Sequence, residues 1–332
     1  MKALLFPNQN QMQLVERSLP KPDQGEALVR VHASGICHTD FEILRGNYPT
    51  DYPVIPGHEF AGTVEAVAQG LSSDWVGRRI VVDPNRPCRN CPACNAGLFN
   101  KCQNLKTYGS SLDGGFAEFV AVAGECLLPI ADLPFEDAAL AEPLACVLHG
   151  LNRLAVPAKA EIVIFGAGPI GMLMQAALQA GDANPQITVV DLQPSRLETA
   201  KRLGAAKTVL AAELKPEDFE FRFSIVIDAT GAPAVVEQLP RYSRDRGTIL
   251  LFGVCPPDRL VSYAPYEVYY RELTIQGSYS LNGELPQAVA LLSAGKIPTK
   301  ELVTHRVSLD EVPGYLSNPG GSGTLKVQAE FP

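Results

Sequence analysis

Gly166, Gly168 and Gly171 form G-x-G-x-x-G where the apolar run "EIVIF" gives way to "PIGMLMQAALQAG". A strand, a glycine turn and a helix in direct succession restrict the fold to the opening of a parallel strand-helix-strand unit. The first glycine permits the tight turn, and the second lets a pyrophosphate approach the backbone. Pro169 and Ile170 open the helix, whose free amides and positive dipole end favour an anion. Asp191 ends the next apolar run, "ITVVD", twenty residues past the third glycine. A carboxylate there accepts hydrogen bonds from both adenosine ribose hydroxyls and repels a 2′-phosphate. Leu192, the next residue, offers no cation to such a phosphate, so the pair predicts NAD in preference to NADP.

Around this motif the chain divides by texture. Up to about residue 144 it has short β-type runs ("EALVRVHA", "GTVEAVA", "RRIVVDP", "FAEFVAV") between Gly and Pro turns, which predicts a barrel-like β domain with few helices. From residue 145 to 282 strands alternate with helical patterns, through "PSRLETAKRLG", "FSIVIDAT" and "GTILLFGV", which predicts a doubly wound parallel sheet. Residues 283–332 carry the helix "LPQAVALLSAG", the segment "LVTHRVSL" and the strand "TLKVQAEF", a tail suited to rejoin the first domain. "NPGGSG" at 318–323 is read as a surface turn between them.

At 332 residues and 46% hydrophobic content the chain has material for two globular domains. A formal charge of −8, without a Lys/Arg cluster, argues against a nucleic-acid partner. No apolar run spans a bilayer and no signal peptide is evident, so the expected location is the cytoplasm, with no membrane contact. Thiols stay reduced there, and the eight cysteines are read first for metal chemistry. Cys88, Cys91, Cys94 and Cys102 stand at C-x2-C-x2-C-x7-C, close enough for four sulfurs to meet on one tetrahedral zinc. A ferredoxin-type run has a different last interval and a proline after its last cysteine, whereas Gln103 follows here. Four thiolates leave no open position, so such an ion fixes a loop.

The segment "GICHTDFEILRGNYPTDYPVIPGHEF" is loop-rich and gathers Cys37, His38, Asp40, Glu42, His58 and Glu59. Cys37 and His58 alone are compatible with a core thiol and a satisfied imidazole. Glu59, among apolar neighbours, implies a partner or a metal. One thiolate, one carboxylate and one neutral imidazole balance the charge of Zn²⁺.

"GICHTD", "YPVIPGHEFAGTV", the four-cysteine loop, "DGGFAEFV" and "AEPLACVLHG", in that order and together with the glycine motif, resemble the zinc-dependent medium-chain dehydrogenases over essentially the whole chain. The resemblance implies a GroES-like catalytic domain (1–144 and 283–332) and a Rossmann domain (145–282). It implies that Cys37, His58 and Glu59 stand at the catalytic-zinc positions and Glu142 at the fourth, exchangeable one. The Glu-Pro pair at 142–143 is similar to the sorbitol and polyol dehydrogenase branch, although Cys146 stands as a rival ligand. Thr39 matches the family's proton-passing hydroxyl, while Glu42 holds a place where many relatives carry a histidine. Arg196, Gly253 and Ser278 stand at cofactor-contact positions.

Together with the cysteine loop and the glycine motif, the resemblance implies two zinc ions per chain and hydride transfer to NAD from a secondary alcohol, a polyol or sugar alcohol becoming a ketose, by a homodimer or homotetramer. L-threonine 3-dehydrogenase is the rival within enzymes, and a non-enzymatic NAD-binding protein the rival outside them. His32, His149 and His305 are read as packing or surface residues, and Cys126 and Cys255 as small hydrophobes.

Overall fold

The computed structural model describes residues 1–319 and 323–332, so the core of the turn expected at 318–323 lies outside the described residues. The chain forms two compact units, one of Met1–Ala145, Leu281–Ala294 and Val303–Pro332, the other of Cys146–Ser280 and Gly295–Leu302. The expectation that all of 283–332 joins the first unit therefore needs correcting. Gly295–Leu302 belongs to the second, because its short helix Thr299–Leu302 packs against the helix Pro169–Ala180 of the glycine motif.

The first unit is built on a seven-stranded sheet with the order Val303–Ser308, Lys326–Glu330, Glu26–Ile36, Glu59–Val67, Arg79–Val82 and Leu127–Pro129, with Phe119–Ala123 also paired to Glu26–Ile36. All its pairings are antiparallel except that of Val303–Ser308 with Lys326–Glu330. The sheet encloses Leu4, Phe6, Val29, Val31, Ile55, Phe60, Ile80 and Phe116, all but excluded from solvent. Burying each such aliphatic side chain contributes roughly 1.5–3 kcal/mol. Glu26–Ile36 is the central strand, and its end, Gly35, pairs with Glu59 on one side and Gln328 on the other.

The loop-rich segment at 35–60 departs from expectation, since His38–Arg45 is a two-turn helix. Its signals were local. Asp40, at the third helical position, accepts the N–H of Cys37 at 2.8 Å, and Gly46 closes the helix in the left-handed region with φ 79°.

In the second unit six strands run parallel in the order Lys207–Leu210, Gln186–Asp191, Glu161–Phe165, Phe223–Asp228, Ser243–Leu251, Thr274–Gly277. This is the doubly wound order that reverses direction between Glu161–Phe165 and Phe223–Asp228. Among the described residues no helix is long and apolar enough to cross a membrane.

Candidate active site and nucleotide site

Cys37, His58 and Glu59 converge, their ligand atoms all within 4.8 Å of one another. Cys37 sits at the end of the central strand, where it caps the helix His38–Arg45, while His58 precedes and Glu59 opens the neighbouring strand. Asp40 joins the two segments. Completely buried, it accepts N–H groups from Cys37 at 2.8 Å and Gly57 at 3.2 Å, and its Oδ1 lies 3.7 Å from Nδ1 of His58.

The electrostatics are those of a buried cluster rich in acidic groups. Burial alone disfavours an imidazolium at His58, but Cys37, Asp40 and Glu142 outweigh it and hold the ring well above its ordinary pKa. Burial pushes the Asp40 carboxyl above the usual range, against the pull of His58. A divalent cation fits this donor set in charge and in chemistry, with one thiolate, one imidazole and one carboxylate.

Glu142 is buried at the start of the helix Ala141–Leu151 and adds its charge to the cavity, but its carboxylate lies outside the three-residue group. Cys146, one turn along that helix, belongs to neither metal-capable group. Thr39 has its Oγ1 3.7 Å from Sγ of Cys37. Glu42 is engaged by Arg45 at 2.9 Å, Asn47 at 3.0 Å and His38 at 3.5 Å.

Lys326 had no sequence signal at all. It is 5% exposed, on the last strand, and its ammonium is ion-paired to the fully buried Glu59 carboxylate. Burial would lower its pKa, but Glu59, Cys37 and Glu142 reverse the effect and raise it. The two groups lie 267 positions apart in the chain.

The second group is Cys88, Cys91, Cys94 and Cys102, again within 4.8 Å. Cys102 Sγ accepts N–H groups from Cys88 at 3.2 Å and Asn104 at 3.3 Å. The N–H of Asn90 draws Cys88 down to about 6, while burial and the sulfurs of Cys91 and Cys102 push Cys94 up to about 12. Four thiolates cannot coexist at such range without a cation, and a four-sulfur set suits zinc. Asn282, from the returning segment, fixes the loop by accepting from Phe99 N at 2.7 Å and donating to Gly97 O at 2.9 Å.

In the second unit each glycine of the motif has a distinct surrounding. Gly166 has φ 102°, and a Cβ on Gly171 would fall 1.8 Å from the Gly166 carbonyl, so the third glycine allows the helix to close on the turn. A Cβ on Gly168 would meet only Arg196 Nη1, at 4.0 Å, which leaves room for a phosphate beside a guanidinium. Asp191 braces the turn, Oδ2 accepting the Ala167 N–H at 2.6 Å and Oδ1 that of Gln193 at 2.8 Å. Gly253 is packed so that a Cβ would lie 2.1 Å from Gly231 N, and Ser278 follows the edge strand. His32 stacks on Phe135 at 4.3 Å, and His305 is exposed beside Thr304.

A barrel-like unit with a converging Cys-His-Glu set and a four-cysteine loop, joined to a six-stranded nucleotide fold, defines a metal-dependent, nucleotide-linked dehydrogenase architecture. Residues 23–132 match the alcohol dehydrogenase GroES-like domain family and residues 169–294 the zinc-binding dehydrogenase family. The chain is 43% identical to D-altritol 5-dehydrogenase of Agrobacterium fabrum over 99% of both chains. It is 30% identical to D-arabinitol dehydrogenase 1 of Uromyces fabae over 98% of this chain and 96% of that one. A zinc-binding dehydrogenase from Sinorhizobium meliloti 1021, solved bound to NADP, superposes with a TM-score of 0.96 at 32% identity, over 99% of both chains. The chain belongs to the zinc-dependent medium-chain dehydrogenases, in their polyol dehydrogenase branch.

Proposed function

We propose that the protein oxidises a secondary hydroxyl of a polyol or sugar alcohol to the ketone, passing the hydride to NAD. The observation that carries this reading is the convergence of Cys37, His58 and Glu59 beside Asp40 and Glu142. The similarity to D-altritol and D-arabinitol dehydrogenases supports a polyol as the substrate.

Zinc held by Cys37, His58 and Glu59, when bound, acidifies a substrate hydroxyl and so favours hydride loss. Glu142 would supply the exchangeable fourth group for that zinc, giving way to a substrate hydroxyl. Thr39 takes up the released proton beside Cys37 and passes it outward. The surface engagements of Glu42 disfavour it as the next carrier. Cys88, Cys91, Cys94 and Cys102 would hold a second zinc, whose role would be to tie their loop together. The nucleotide lies along Gly166, Gly168, Pro169, Ile170 and Gly171, with Arg196 toward its phosphates, Asp191 at its adenosine ribose, and Gly253 and Ser278 toward the nicotinamide end.

A dimer is supported by the edge strand Thr274–Gly277, which ends the parallel sheet, and by exposed Tyr266, Tyr269 and Tyr270 on the preceding helix. Light scattering reads its mass directly.

The test of function is an assay of altritol, arabinitol, sorbitol, xylitol, galactitol and L-threonine with NAD and with NADP. Turnover of at least one polyol with NAD is the expected result. Turnover of threonine alone, or a preference for NADP, would overturn the corresponding part of the reading.

A further inference from the structure

Gly35, Glu59 and Lys326 come from three adjacent strands and meet where their backbones pair, Gly35 opposite both Glu59 and Gln328. A Cβ on Gly35 would stand 2.0 Å from Glu59 Oε2 and 2.9 Å from Lys326 Cε. The bare glycine therefore makes the space in which the carboxylate and the lysine stem lie together. The ammonium is within ion-pair reach of both carboxylate oxygens and hydrogen-bonds Oε1. With the ammonium against both of its oxygens the buried carboxylate is already paired, so a metal that takes either oxygen must share it with Lys326.

The charges point the same way. Cys37, Glu59 and Glu142 bring three negative charges, and a divalent ion neutralises only two of them. Lys326 supplies the third positive charge. Asp40, the remaining anion of the region, is met by the His58 ring and by two backbone N–H groups.

We propose that Lys326 is a positioning residue for Glu59: its ammonium holds the carboxylate when the metal is absent and competes with the metal for it when the metal is present. Lys326 thereby sets how firmly Glu59 ligates, and it allows an anionic Glu142 to approach without leaving the site net negative. This inference rests on the reading of Cys37, His58 and Glu59 as metal ligands. It adds a cation, contributed by the last strand of the chain, as part of the site's charge balance.

The probe is Co²⁺, titrated against a chelator into full-length protein whose exchangeable metal has been removed, with thiolate-to-metal absorption as the readout. Cys37→Ser identifies the band belonging to this site. Removing a cation that opposes metal entry and occupies a ligand should tighten binding in Lys326→Met by about tenfold or more. The shape of the cobalt spectrum should change as Glu59 is released to the metal. The metal-depleted Lys326→Met protein should melt lower than wild type, because Glu59 is left buried and unpaired. Lys326→Arg should restore both properties, and Glu59→Gln combined with Lys326→Met should recover the melting temperature of the depleted protein.

Unchanged or weaker cobalt binding by Lys326→Met, with a wild-type spectrum, overturns the proposal. If Lys326→Met does not fold, Gly35→Ala keeps both charges while crowding the carboxylate off the ammonium. Altered cobalt affinity and spectrum then support the proposal, and wild-type behaviour overturns it. A failure of the underlying site reading looks different, since Cys37→Ser would then leave every cobalt band in place.

Discussion

The carboxylate of Asp40 accepts the backbone N–H of Cys37 at 2.8 Å while its other oxygen accepts that of Gly57 at 3.2 Å, so one buried side chain fixes the spacing of the segments that carry Cys37, His58 and Glu59. Asp40→Ala leaves two buried donors without acceptors and should cost about 2–4 kcal/mol of stability. Asp40→Asn, which keeps one acceptor oxygen, should cost less. Urea denaturation of the two variants checks the order, and equal losses would show that the acceptor count does not matter.

The two cysteine sets should respond differently to substitution. Cys94→Ser opens a four-sulfur site whose metal binding is coupled to folding, so zinc content should fall from two to one per chain along with the melting temperature. Cys37→Ser should also lose one zinc, yet keep its circular dichroism spectrum and lose turnover. Elemental analysis of wild-type protein giving one zinc or none would contradict the assignment of two sites.

Glu142→Gln keeps the shape of the side chain and removes its charge. Zinc content should stay near that of wild type while kcat/KM falls by roughly 10² to 10⁴, the range for a positioned proton-transfer or electrostatic group. Full activity in this variant would return Cys146 to consideration as the fourth ligand.

If Asp191 sets a preference for NAD, that preference should be reversible. Asp191→Ala with Leu192→Arg removes the ribose acceptor and the repulsion of a 2′-phosphate, and adds a cation on an exposed position. NAD use should weaken by about 10- to 100-fold, from losing contacts of about 1–3 kcal/mol, while NADP use rises. Because Asp191 also braces Ala167 and Gln193, part of the NAD loss should appear in Asp191→Ala alone. Steady-state kinetics with both cofactors separate the two effects.

Asp83 gives a pH dependence with a defined sign. Burial raises its carboxyl from 3.8 to about 6. Between those values the unfolded chain ionises while the folded one stays protonated, so this residue's contribution falls as pH rises from about 4 to about 6. The loss levels off above that, at about 3 kcal/mol. Asp83→Asn keeps an acceptor for the Asn85 N–H and should remove this component from the melting temperature measured between pH 4 and 7. A pH profile identical to wild type would show that Asp83 ionises normally in the folded protein.

Local spacing was enough to announce the nucleotide fold and the four-sulfur loop. A glycine turn and a run of cysteines place their functional groups within a few residues of one another, so the order of residues nearly dictates the geometry. The helix His38–Arg45 was equally local, signalled by Asp40 three residues past Cys37 and by Gly46, but it was hidden behind the Gly and Pro residues around it. The convergence of Cys37 with His58 and Glu59 could be expected only through resemblance, because side chains 21 positions apart meet solely through the pairing of Glu26–Ile36 with Glu59–Val67. The exchange of Gly295–Leu302 into the second unit was decided by helix packing that no short pattern encodes. Lys326 was beyond the reach of any linear reading. In sequence it is one more lysine in a terminal strand, and its partner becomes visible only when an antiparallel register places the last strand beside Gly35, whose missing side chain admits a buried ammonium to Glu59. Sequence determines such a contact only through the whole fold, since burial and strand register, which decide whether a charge is solvated or paired, are properties of the folded chain.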